Sequence, residues 1–228
     1  MTLETLCKRI CLPCEVTVRV LTFPAVPDPV LALLRTPGRW DEGRVALADF
    51  LDEDPDGFGT LAGHLQCALK TYETYRFSDD IFTETMKCFT RFVCEHKGSY
   101  GYYGFDRDFW TVRQLSGVLF RIGELEYEIR EDGIHLHIPS DAVLENARLR
   151  ASWETARAML GTAPWSATPG SCPRTCRGFW TRIREFWTSS GISPSTPRSR
   201  TSHFASGSSR TRAVPTGSFP KTPGSNGG

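Results

Sequence analysis

The chain has 228 residues, 27 Lys/Arg against 26 Asp/Glu and 39% apolar residues, enough for a sizeable core in one large or two small domains. The near-neutral total hides a split: beyond residue 160 lie nine basic residues and one acid, Glu185, so the first 160 residues hold 18 basic and 25 acidic ones. An acidic body argues against nucleic acid as its partner. With no apolar run of about 18 residues and no signal-peptide core in residues 1–10, a soluble cytoplasmic protein is expected.

Residues 2–10 read as a short helix, and Pro13 opens a second in which Val16, Val20 and Phe23 share a face. Pro24, Pro27 and Pro29 break that pattern, residues 30–34 give one or two turns, and Trp40–Leu51 forms an amphipathic helix after Pro37-Gly38. The acidic run 52–57 lacks the ligand spacing and terminal Glu of a calcium loop, so it reads as a solvated turn and helix start. Residues 58–77 carry a stripe of Leu61, Leu65, Ala68, Leu69 and Tyr72 at helical spacing. A partner helix begins at Asp79-Asp80, with Ile81, Met86, Phe89, Phe92 and Val93 inward, and pairs with it as an antiparallel hairpin. A glycine and tyrosine loop is expected over 98–105, then a helix over 106–115 whose Phe109 and Trp110 dock on the core.

In residues 119–142 the period changes to that of strands. Leu119, Ile122, Leu125, Tyr127 and Ile129, then Ile134, Leu136 and Ile138, predict two strands around a turn at Glu131-Asp132-Gly133. Ser140 is placed to cap a helix over 141–160, with Asp141 at its positive end. The residues after 160 have no apolar period and are rich in Ser, Thr, Pro, Gly and Arg, the composition of a disordered basic tail.

Few stretches have the residue set of a chemical motif. Cys7, Cys11 and Cys14 have the C-x3-C-x2-C spacing of a radical-SAM iron–sulfur loop, but no strand precedes them, and the body cysteines read as reduced thiols in helices. His135 and His137 share one strand face as paired metal ligands can, but no third ligand stands at motif spacing, so no metal is expected. Phosphate-loop, dinucleotide, nucleophile-elbow and zinc-protease signatures are all absent, as is the usual acyl-CoA pyrophosphate signature.

The blocks WDEG (40–43), EDPDG (53–57), CFTRFVCEH (88–96), YGFDRDFWTVRQLS (103–116), LFRIGELEYE (119–128) and HIPSDA (137–142) together resemble a bacterial family of acyltransferases. Its members have a helical N-terminal domain followed by a GNAT-like acyltransferase domain, and the resemblance covers residues 4 to about 160. It implies acyl transfer from acyl-CoA as co-substrate to an unknown acceptor, an amine in the chemistry of such domains. The departure comes after residue 160, where the family continues with a segment of the type C-H-S-W-L-L-S-P. Back-translating residues 165–174 and reading two bases later permits V-C-H-S-W-L-L-S-P, so residues 161–228 are expected to be a frameshift product.

The fold class expected is α+β: a helical domain over 1–116, the start of a GNAT-like mixed sheet over 117–160 as a hairpin and helix, and the tail over 161–228. One sheet face, Leu125, Tyr127 and Ile129 or their alternates, is expected to be poorly covered in this truncated form. The candidates for a general base are Glu124, Glu126 and His137, on or beside the hairpin, against the plainer reading of exposed strand polar residues. The competing functional class is a helical binding module without catalysis.

Overall fold

The computed structural model describes residues 1–131 and 133–160, and the backbone of 165–167. Seven helices come first: α1 (Leu3–Arg9), α2 (Cys14–Val20), α3 (Asp28–Arg35), α4 (Trp40–Leu51), α5 (Phe58–Tyr72), α6 (Asp79–Tyr100) and α7 (Asp108–Leu115). Strands β1 (Leu119–Ile122), β2 (Leu125–Arg130) and β3 (Gly133–His137) follow, then α8 (Asn146–Leu160) and β4 (Trp165–Ala167). The fold is α+β with a helical N-terminal part.

Local chemistry explains the helix ends. Asp54 accepts the N–H groups of Gly59 and Thr60 at 2.8 and 2.7 Å, so the acidic turn neutralises the free amides that open α5. Ser78 accepts the Ile81 N–H at the start of α6. That helix runs through Gly98 to Tyr100, longer than its glycines suggest, and stops only at Gly101, whose φ of +84° closes the C-cap. Gly98 is exposed with nothing near it, so the helix tolerates it there. Helix α5 ends five residues before the expected position. Trp110 packs against the core as expected, whereas Phe109 is on the solvent side of α7.

The sheet has order β1-β2-β3-β4, antiparallel across the first three strands and parallel between β3 and β4. Where two strands were expected across 119–138, three occur. The extra reversal is Gly123-Glu124, with Ile122 opposite Leu125 and Gly123 at φ +60°, as a two-residue hairpin with glycine first requires. Of the second turn, Asp132 lies outside the described residues. The expected helix over 141–160 begins only at Asn146, because Ser140 donates to Glu95 and Asp141 accepts from two arginines instead of capping.

The described residues form two apolar cores. One holds 25 buried residues from α1 to α7, among them Leu6, Leu34, Leu61, Phe82 and Phe89. The other holds nine: Phe120, Ile122, Leu125, Tyr127, Ile134 and Leu136 of the sheet under Leu149, Trp153 and Ala156 of α8. Phe77 and Ile81 also pack there. The expectation of an uncovered face therefore fails at Leu125 and Tyr127, because α8 lies on them, while Ile129 is 45% exposed. The tail expected over 161–228 lies outside the described residues except for the backbone of β4, and no helix among the described residues is long and apolar enough to cross a membrane.

Candidate functional site

The polar face of the sheet is buried as well. Strand alternation puts Glu126, Glu128, His135 and His137 on the side opposite Tyr127 and Leu136, and all four are buried. Glu126 stands directly across from His137, and Glu128 from His135. Burying carboxylates requires partners, and they come largely from α6 and α7.

Arg91 of α6, with its side chain 8% exposed, donates to Glu126 Oε1 at 2.8 Å and to Asp141 Oδ1 at 3.0 Å. Burial opposes its charge, but Glu126 and Asp141 outweigh that and the guanidinium is held more firmly protonated than usual. Asp141 also takes Arg121 through both oxygens, at 2.9 and 2.7 Å. Burial alone would raise the Asp141 carboxyl, yet the two arginines pull it below its ordinary range. Arg121 in turn donates to the Gly123 carbonyl, and its backbone N–H goes to Thr85 of α6.

Glu128 is the second centre. Its Oε2 accepts from Arg130 at 2.6 Å and lies 2.8 Å from His137 Nε2, while Arg113 of α7 is 3.3 Å from Oε1. Burial would raise this carboxyl, but His137 and Arg130 drive it down to about 2. The Trp110 ring meets His137 edge-on with centroids 5.3 Å apart, and Arg113 lies over Trp110 and Trp40.

Two of the three base candidates, Glu126 and His137, thus share the buried face. Glu124 does not: it sits at the β1–β2 turn, where its carboxylate accepts the Val143 N–H at 2.8 Å and pairs with Arg148 of α8 at 2.7 Å. The residues missed in the sequence are Arg91, Arg113, Trp110 and Glu128. Glu128 had a signal, since it is one strand period from Glu126. The helical arginines had none, because nothing local shows which sheet their face meets.

Cys7 lies in α1 and is buried, with its thiol pushed up to about 11 by burial, while Cys11 and Cys14 are exposed. Among the described residues no three His, Cys, Asp or Glu side chains come together as a metal site.

A bundle of helices joined through a charged layer to an acid- and histidine-bearing sheet is the class of architecture this geometry defines. The sequence profile of the N-acyltransferase N-terminal domain matches residues 1–117, and the chain belongs to that family. No curated protein matches. Among solved structures, an acyltransferase in complex with decanoyl-CoA and teicoplanin is similar at 20% identity and TM-score 0.52, over 68% of this chain and 55% of that one. An acyltransferase in complex with CoA and 10C-teicoplanin is similar at 20% identity and TM-score 0.51, with the same coverage. Likeness at this identity establishes the shared fold, and the chain spans 55% of the length of these proteins.

Proposed function

We propose that the chain is the N-terminal portion of a GNAT-like N-acyltransferase that takes an acyl group from acyl-CoA and passes it to an amine. The observation that carries the reading is the family match over residues 1–117, continued by a sheet whose buried polar face offers a proton acceptor. The acyl-CoA ligands of the structurally similar acyltransferases support the choice of donor.

In the reaction the amine nitrogen attacks the thioester carbonyl, the C–N bond forms, the C–S bond breaks, and CoA leaves as its thiol. The amine must lose a proton as its nitrogen becomes an amide, so a base is needed near it. Of the candidates, Glu126 is committed to Arg91 and Glu124 to Arg148 and the Val143 amide. His137 is the strongest of the three: a neutral imidazole has one donor and one acceptor nitrogen, and its ring lies against one carboxylate and the indole of Trp110.

The remainder of the catalytic domain belongs to a second reading frame in this proposal. The shifted codons across residues 165–174 permit V-C-H-S-W-L-L-S-P, the family's expected continuation. Resequencing the locus tests this, and an intact frame shared with close relatives would sink it. Function is tested by titrating acetyl-CoA and a longer acyl-CoA into the present chain and a frame-restored chain, then following thiol release with an amine acceptor. Binding and turnover by the restored chain are expected, with His137→Gln lowering turnover about 10²- to 10⁴-fold. Binding by neither chain would overturn the enzyme reading in favour of a non-catalytic helical module.

A further inference from the structure

The His137–Glu128 contact has a directional chemistry that goes beyond naming a base. Glu128 Oε2 receives Arg130 at 2.6 Å and faces His137 Nε2 at 2.8 Å, and Arg113 stands 3.3 Å from its other oxygen. The carboxyl, driven down to about 2 by the hydrogen bond from His137 and by Arg130 against the cost of burial, has no proton at neutral pH and can only accept. The proton in the contact must then sit on the imidazole. Glu126 stands across the strand from His137 but is itself held by Arg91, so it does not compete for the ring. Trp110 of α7 packs edge-on at 5.3 Å and limits ring rotation. No hydrogen bond to His137 Nδ1 occurs among the described residues.

We infer that Glu128 is a positioning residue: it accepts the His137 Nε2 proton, fixes the ring in the Nε2–H tautomer, and leaves Nδ1 as the atom that takes the proton from the attacking amine. This rests on the reading of His137 as the general base. In the step, the amine N–H bond breaks as its proton moves to Nδ1, the nitrogen lone pair forms the C–N bond, and the thioester sulfur leaves with the C–S electron pair. The imidazolium so formed keeps Nε2–H on the Glu128 carboxylate, which stabilises it as a carboxylate stabilises the imidazolium of hydrolase triads. The helical N-terminal domain takes part, because Trp110 and Arg113 of α7 hold the two members of the pair from outside the sheet.

The test is ¹⁵N–¹H correlation of the histidine rings in the full chain, with His137 assigned by its loss in His137→Gln and folding checked by amide dispersion. At a pH where the ring is neutral, His137 should show Nε2 protonated and Nδ1 bare, with its Nε2 proton shifted downfield by the carboxylate. Glu128→Ala and Glu128→Gln should both lose that downfield signature; the second keeps the side chain's shape, so the loss reports the charge. A ring protonated on Nδ1 in the unmodified chain, or a downfield proton unchanged in both variants, would overturn the inference. Retained acyl transfer in the His137→Gln enzyme would instead remove the base role and leave the tautomer result standing, so the two failures are distinguishable.

Discussion

At the level of single residues the structure is most exposed to change where charge is buried. Among the described residues Arg91 is the cation paired with Glu126 and one of two paired with Asp141. Replacing Arg91 by Leu leaves Glu126, whose side chain is 4% exposed, charged and without its partner, a change that costs about 3–5 kcal/mol. Urea unfolding should show that loss, and Glu126→Gln in the same chain should return part of it, because a neutral amide is far cheaper to bury. His64 tests the opposite situation. It is fully buried, its Nδ1 is 2.8 Å from the Thr111 hydroxyl, and Nε2 has no hydrogen-bond partner among the described residues. Burial, partly opposed by Asp108, lowers its folded-state value to about 4 from an ordinary 6.5. The unfolded chain therefore binds a proton first as pH falls. Stability referred to this group is complete above pH 6.5 and declines down to about pH 4, by about 3 kcal/mol in all. Urea midpoints measured across that window should lose this slope in His64→Leu.

At the level of elements, the three-stranded unit depends on the reversal at Gly123. A Cβ there would meet the Ser152 hydroxyl of α8, and φ of +60° is itself costly for any other residue. Gly123→Ala should lose about 1–3 kcal/mol of stability in thermal unfolding. The same change should displace α8, because the Ser152 hydroxyl also accepts the Glu124 N–H at 2.9 Å. That turn shows where sequence reading works and where it stops. Amphipathic helices such as Trp40–Leu51 were legible because their apolar stripe is a local property, and so was the Asp54 turn. The hairpin was partly legible: the apolar positions step by two through Tyr127 and Ile129 but by three from Ile122 to Leu125, a slip in phase that marks the turn. The alternation of Glu126 and Glu128, and of His135 and His137, told which side chains share a face. It did not tell that α6 and α7 cover that face, since Arg91 lies 35 residues from Glu126 and only tertiary packing joins them. Helix α8 starts late for a related reason: Asp141 is worth more to Arg91 and Arg121 than to a helix end.

At the scale of the whole molecule, the unequal cores determine which part can stand without the other. The helical core has 25 buried apolar residues among those described, and the helical part meets the sheet through apolar groups, Phe77 and Ile81, and polar ones, Arg91, Arg113 and Thr85. Separated from the sheet, Arg91 and Arg113 would meet water, which solvates a guanidinium well, so their release adds no unpaired buried charge. Among the described residues the sheet and α8 share nine buried apolar residues, and the carboxylates on the other face would lose their helical arginines. A short meander with one helix and so small a core is below what a domain needs to fold alone. A fragment of residues 1–117 should therefore unfold cooperatively, at a lower midpoint than the full chain, with helical circular dichroism retained. A fragment of residues 118–167 should lack dispersed amide resonances on its own. Adding it to the first fragment should restore dispersion only if Arg91 is present, because the charged layer supplies the complementarity between the two pieces. Folding of the second fragment alone, or equal reassembly with Arg91→Leu, would show that the sheet does not depend on the helical part in this way.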